Sequence, residues 1–364
     1  MRVMSGHVAV MRLYQFAYGI DLVQAERLWA GRSVRLRLSA TPAKAMSFGV
    51  PPLTVSLDPV QLALPDGPRE VAVTARLFDF GVVSIALRLD VQNLSFAEFS
   101  TLLNAVDAAA SADDTAWTRL AAQLRAVITP ALTRPIEDGP VEDYALAIVE
   151  RFDTTPDATT ILAELDLVPL LSAETRPLSE QSRAELLRQR FSYFTDDLTV
   201  LTWDRAFLYE PRGDSDVPDV IEIANAQLLE MRYYDELLDA ELPRMYDLVE
   251  GTRKRSQIFA ARRYSELAHK LHTLVAEFTE LTEKVDNALQ VTEDVYLARI
   301  YAAALDVFRV KLVKEAVDRK LSIVRDTYTA LYEEAHGARS TVLEVAVVLL
   351  IVMEVVLPFV RGGH

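Results

Sequence analysis

The sequence predicts an α+β fold: an N-terminal mixed or antiparallel sheet with helices, then a long antiparallel, coiled-coil-like helical region, then a C-terminal transmembrane helix. Three observations carry this. Fourteen of the sixteen prolines precede residue 220 and none lies between Pro243 and Pro358, so short elements give way to long helices, whose interiors proline breaks. Period-two alternation marks the first part, as where Val34, Leu36 and Leu38 face away from Arg35 and Arg37. The chain closes on Thr341 to Val360, mostly apolar and interrupted by Glu344 and Glu354. About 20 helical residues at 1.5 Å each match the roughly 30 Å hydrocarbon core of a bilayer. The expected division is an α+β domain over 1–219, a helical bundle over 220–340 and an anchor over 341–360.

Taken in order, His7 to Ala17 alternates as a strand, and Asp21 caps a short helix through Leu28 that stops at Gly31. Arg32 to Leu38 is a half-buried strand. Residues 41–68 hold six prolines and read as loop with one short strand at Leu53 to Leu57. Glu70 to Leu77 and Phe80 to Val91 are strands, the second nearly continuous in apolar residues and therefore central. Ser95 and Glu98 stand at capping-box spacing and open a helix to Ala109; Asp113 or Asp114 opens another that ends before Pro130. Glu142 to Phe152 returns to the sheet. Arg190 to Phe194 and Leu198 to Trp203 form a hairpin across Asp196-Asp197, and an acidic loop from Glu210 to Asp219 follows.

Beyond it the spacing gives helices over Val220 to Glu250, Ser256 to Leu289 and Asp294 to Glu334, with a break at Gly251. The third carries a narrow seam at Val310, Val313, Val317, Leu321, Val324, Tyr328 and Leu331 that calls for a helical partner.

Composition narrows function more than it defines it. A chain of 364 residues, 51% hydrophobic and 25% charged, is globular, and the absence of cysteine excludes disulfides, thiolate ligands and sulfur nucleophiles. The net charge of −15 is uneven: residues 1–60, 61–180, 181–251 and 252–364 carry +4, −11, −9 and +1. The acidic middle repels phosphate backbones, which leaves Arg253-Lys-Arg255 with Arg262-Arg263 as the basic cluster of the helical part and argues against nucleic acid as a partner. Arg12, Gln15 and Asp21 break any signal-peptide core, so the body is expected in the cytoplasm, held at the membrane by its C-terminal helix.

Two Glu-x-x-His pairs, Glu266/His269 and Glu333/His336, repeat the helix-face spacing of carboxylate-bridged metal bundles. Helices this rich in glutamate produce the spacing by chance, so the metal set stands as an alternative and no cofactor is expected. Paired acids such as Glu142-Asp143 and Asp196-Asp197 suit turns and caps as well as acid–base work. No phosphate loop, nucleophile elbow or zinc motif is present. Within the terminal segment an acid near the bilayer centre costs about 2.5–3.5 kcal/mol, so Glu354, with Glu344, Arg339 and His336 at the edge, is expected to mediate assembly.

Tyr14-Gln-Phe-Ala-Tyr-Gly-Ile-Asp-Leu22, Phe78 to Leu87, Asp196-Asp197, and Glu334-Ala-His336 with Arg339, Glu344 and Val348 to Val356 resemble the required-for-meiotic-nuclear-division, or YagE-like, family. The helical section is longer than that family's, as in a remote member with an enlarged coiled coil. The resemblance implies a membrane-attached, self-associating scaffold without catalytic residues. The expected function is therefore a non-enzymatic, membrane-anchored scaffold or adaptor, homo-oligomeric through its helices, presenting an α+β domain to unidentified protein partners. The alternatives are the helical metalloprotein and a ribosome- or nucleic-acid-contacting factor.

Overall fold

The computed structural model describes residues 1–29, 33–35, 51–213, 216–253 and 295–327, with isolated helical positions at 269, 273, 275, 276 and 329. It divides into two compact units, Met1–Tyr233 with Lys284–Val313, and Tyr234–Glu283 with Lys314–His364.

The first unit is organised by β1 (Arg2–Gln15), whose fourteen residues lie mid-sheet. On one side it pairs with β6 (Val82–Val91) and on the other with β9 (Val141–Phe152), both antiparallel. Around it stand β2 (Ala17–Ile20), α1 (Leu22–Leu28), β3 (Ser33–Arg35), β4 (Leu53–Leu64), β5 (Gly67–Leu77) and β7 (Leu94–Ser95). They are followed by α2 (Phe96–Ala112), α3 (Asp114–Ile128), β8 (Leu132–Pro135), α4 (Ala158–Glu164), α5 (Val168–Ser172) and α6 (Glu180–Leu186). Last come β10 (Arg190–Phe191), β11 (Leu198–Leu201), β12 (Arg205–Tyr209), α7 (Val217–Arg253) and α8 (Val295–Val307). The large sheet runs β10-β11-β12-β9-β1-β6-β5-β4-β3 with β7 added on β1, while β2 and β8 pair separately. The β12–β9 pair is parallel, since three short helices carry the chain across between them.

Both faces of the sheet are covered, which is why the middle of β1 is buried without alternation. On the first face Val8, Val10, Ile85, Leu87, Ala147 and Phe207 join one core with Phe99, Leu103 and Val106 of α2 and Trp117, Leu120 and Leu124 of α3. Ser95 caps α2 as the spacing predicts: its N–H donates to the Glu98 carboxylate at 2.7 Å, and its hydroxyl accepts from the Glu98 N–H at 3.3 Å.

The second face carries Met11, Leu13, Tyr144 and Leu146, covered by α7 and α8. Register places Arg76, Ser84, Leu13 and Glu142 in one row across β5, β6, β1 and β9. Arg76 contacts Glu222 of α7 and Glu142 contacts Arg232 of α7. Three strand spacings amount to about 14 Å, and ten helical residues rise about 15 Å. The start of α7 therefore runs across the strands, and it is buried on every side from Val220 to Met231. α8 adds Phe308 just past its end, edge-on to Tyr144 at 5.4 Å, and Tyr301, whose hydroxyl donates to Gln227.

Several expectations change. From Leu53 on, the proline-rich stretch is a hairpin, with β4 continuing through Pro59 at a bulge to Leu64 and turning into β5 at Gly67; Pro59 is tolerated because its strand lies near the sheet edge. Residues 41–50 lie outside the described residues. The predicted break at Gly251 does not interrupt α7, which runs to Arg253 with Pro243 inside. The predicted third helix is divided at Arg309, whose φ of 57° is left-handed, before helix resumes over 310–327. In the second unit Val317, Leu321 and Val324 of the seam are buried, and Lys320 bridges Asp235 and Asp239, both at 2.7 Å. Tyr328 and Leu331, most of 256–289, and residues 36–38 of the predicted second strand lie outside the described residues.

The fold is a mixed α+β architecture with one large sheet, and the transmembrane helix assigned to its end is withdrawn. Among the described residues no helix is long and apolar enough to cross a membrane. The first turns of the longest, α7, hide their apolar surface against the sheet and intersperse it with Glu222, Glu230 and Arg232. Residues 341–360 lie outside the described residues. Membrane anchoring as a partner and the localisation built on it lose their support, while His336, Arg339, Glu344 and Glu354 lie outside the described residues.

Two glycines separate backbone freedom from packing. Gly81 takes φ +93° in the β5–β6 turn, and a Cβ there would fall 1.9 Å from the Ala17 carbonyl oxygen; Gly67 takes φ +122° with open space around it. Gly81→Ala is expected to cost more than ~3 kcal/mol and Gly67→Ala about 1 kcal/mol in urea unfolding. Equal losses would contradict the close approach of the turn to the β1–β2 bend.

Candidate functional site

Three polar clusters on the sheet could carry chemistry. Under α7, Arg76 reaches Asp219 at 2.8 Å and Glu222 at 2.6 Å. Glu222 is buried, and that burial pushes its carboxyl above the usual range against the opposing pull of Arg76 and the Ser84 hydroxyl. Burial works against the Arg76 charge, but Glu222 and Asp219 outweigh it and leave the guanidinium raised. Ten residues on, Arg232 pairs with Glu142 and stands 5.6 Å over the Trp203 ring. These groups form a clamp between helix and sheet, with opposite charges already satisfied.

On the other face Arg205, nearly inaccessible, joins Asp107 and Asn104 of α2 and the Leu170 carbonyl of α5 at 3.1 Å. Asp107 is nonetheless raised, by burial first, with Asp204 and Asp143 adding to it. Beside it Arg12 holds both oxygens of Asp143 at 2.6 and 3.1 Å and Asp114 at 2.8 Å, over the Trp117 ring at 5.1 Å. Buried Arg205 and half-buried Arg12 thus tie α2, α3 and α5 to the strands.

At the far end of β1, the Ser5 hydroxyl donates to Glu150 at 2.6 Å, and His7 Nδ1 lies 3.6 Å from the other Glu150 oxygen. Burial, helped by Arg88, lowers His7 to about 4, so its imidazole is neutral at pH 7. A serine nucleophile needs imidazole between hydroxyl and carboxylate. Here the carboxylate is central, so Ser5 is not activated.

Of the metal alternative, Glu266, Glu333 and His336 lie outside the described residues, and His269 is exposed on a helix with its carbonyl accepting from Thr273 at 3.0 Å. Among the described residues no group of three or more histidines or acids is arranged to hold a metal ion. Lys254, Arg255, Arg262 and Arg263 of the basic cluster also lie outside them. Glu142 and Asp143 are engaged by Arg232 and Arg12, while Asp197 accepts the backbone N–H groups of Tyr193 and Phe194 at 2.7 and 3.0 Å. Arg76, Glu222 and Arg205 went unnoticed in the sequence. The available signal was Asp219 and Glu222, one helical turn apart at the head of an otherwise apolar run.

The geometry defines a sheet protein, covered on both faces, whose buried charges fasten helices. The chain belongs to the family described as uncharacterized protein MJ0711, N-terminal domain, whose model matches residues 5–216. It is similar to uncharacterized protein MJ0711 of Methanocaldococcus jannaschii, 23% identical over 222 residues that cover 61% of this chain and 67% of that one. No solved structure matches. This family replaces the required-for-meiotic-nuclear-division resemblance. Of the residues that suggested it, Phe78 and Phe80 are stacked core rings at the Gly81 turn and Val82 to Leu87 are central strand, where packing alone selects aromatic and aliphatic residues.

Arg76→Met strands two carboxylates beneath α7 and is expected to cost about 3–5 kcal/mol, of which Arg76→Met with Glu222→Gln recovers at least half. Denaturant unfolding of the two variants checks this, and equal losses would contradict the clamp.

Proposed function

We propose that the protein is a non-enzymatic scaffold that self-associates through its helical region and presents its α+β unit to protein partners. The observation that carries this is the course of α7. Its first turns are sealed and charge-paired within the sheet unit, and the same continuous helix continues from Tyr234 as part of the second unit.

Two further features support it. The buried arginines and their acids hold α2, α5 and α7 in place, which is a structural use of groups that an enzyme would turn toward substrate. Large apolar side chains stand exposed on the helices, among them Tyr246, Leu312 and Ile323. Helical surfaces of this kind gain by packing against another chain.

Light scattering on the full chain during size exclusion tests the proposal. The expected mass is a fixed multiple of the chain mass across micromolar concentrations, falling when Leu312 and Ile323 are both changed to Lys. A monomer at every concentration would overturn self-association.

A further inference from the structure

Self-association needs a surface on which two copies meet. Resting on that proposed function, we infer that the helix over 310–327 packs against the same helix of a second copy, antiparallel about a two-fold axis level with Val317, through the exposed stripe Leu312, Glu315, Arg319 and Ile323.

This helix is apolar on two opposite sides. Val310, Val317, Leu321 and Val324 are buried, and at about 100° per residue they fall within roughly 60° of one another. Leu312 and Ile323 lie on the other side, about three turns apart and offset by only about 20°. Leu312 is 59% exposed and Ile323 40%. Single exposed apolar residues are ordinary on a surface. Two that align over three turns, opposite a seam already buried, form a second packing stripe.

Charged residues fill the turns between them. Glu315 and Arg319 are exposed, and among the described residues neither has an ion partner. Lys320, on the flank, is by contrast taken by Asp235 and Asp239.

The order of the charges selects the occupant. Lys311, Glu315, Arg319 and Asp326 are all exposed and alternate in sign along the stripe. A basic or an acidic partner would gain at two of these positions and lose at the other two. A second copy laid parallel would set each charge against its own kind. Laid antiparallel, it sets Glu315 against the second copy's Arg319, Lys311 near its Asp326, and Leu312 beside its Ile323. Two-fold symmetry makes each contact twice, which is how a self-complementary patch closes a dimer.

The chain has no cysteine, so introduced cysteines report which residues of two copies touch. On mild oxidation of the full chain, Leu312→Cys with Ile323→Cys in one chain is expected to give a disulfide-linked dimer, and each single substitution none. The two positions lie about 16 Å apart along their own helix, too far for a bridge within one copy. In sedimentation without oxidant, Glu315→Arg is expected to weaken assembly about tenfold, and Glu315→Arg with Arg319→Glu to restore it, at unchanged melting temperature. Should the cysteines themselves disperse the chain, the charge exchange decides. A cross-link from either single substitution would mean parallel pairing. A doubly substituted chain that assembles without cross-linking, or a charge exchange that leaves assembly weakened, would put the contact elsewhere. Each of these overturns the proposal while assembly of the unaltered chain keeps the scaffold standing, whereas an unaltered chain that is monomeric refutes the scaffold.

Discussion

The burial of charge beneath α7 is the constraint on which the rest depends. Placing Glu222 and Arg76 in a dehydrated layer costs several kcal/mol per ion unless each meets its opposite. Register supplies the match: β5, β6, β1 and β9 must align so that Arg76 and Glu142 share a row. A slip of one residue would turn Arg76 to the face of Val73 and Ala75 and leave Glu222 unpaired. The same charges that add little net stability thus specify one sheet register and one helix direction.

That direction explains features which look unrelated. Because α7 crosses the strands, its first turns cover β5, β6, β1 and β9 together, and β1 has no solvent face in its middle. Because α8 closes over α7, a helix with Glu222, Asn225, Gln227 and Glu230 in successive turns is buried all round. Polar groups in such a place need partners, and Tyr301 donating to Gln227 and Asn225 donating to the Ile221 carbonyl at 3.1 Å are two of them. On the opposite face Arg205 does similar work for α2 and α5. A body closed in this way leaves function to its edges and to the helices that extend from it.

Much of the sheet was legible because its signals are local. Alternation marked β1 and a nearly continuous apolar run marked β6; the Ser95 box marked α2; Asp21 marked α1, its carboxylate accepting from the Val23 and Gln24 N–H groups at 3.0 Å. Where local and tertiary signals compete, sequence misled. Pro59 suggested loop, yet a strand near the edge with a bulge accepts proline. The run from Val220 suggested an amphipathic helix of a separate bundle, although apolar residues there occur on all sides, as burial against a sheet and a second helix requires. Length and hydropathy suggested a membrane anchor, and a His and Arg before a glutamate-bearing helix suggested the wrong family. Of the candidate residues, Glu142, Asp143 and Asp197 proved to be structural partners, while Arg76 and Arg205 were invisible because their acids lie about a hundred or more residues away.

The central claim is that the head of α7 is part of the sheet's core and held there by Arg76. Native-state hydrogen exchange at 220–231 tests it most directly. Protection equal to that of β1 and β6 is predicted in the wild-type chain, with those helical amides, but not the strand amides, opening separately in Arg76→Met. Rapid exchange along 220–231 in the unaltered protein, or a variant in which helix and strands still open together, would contradict it.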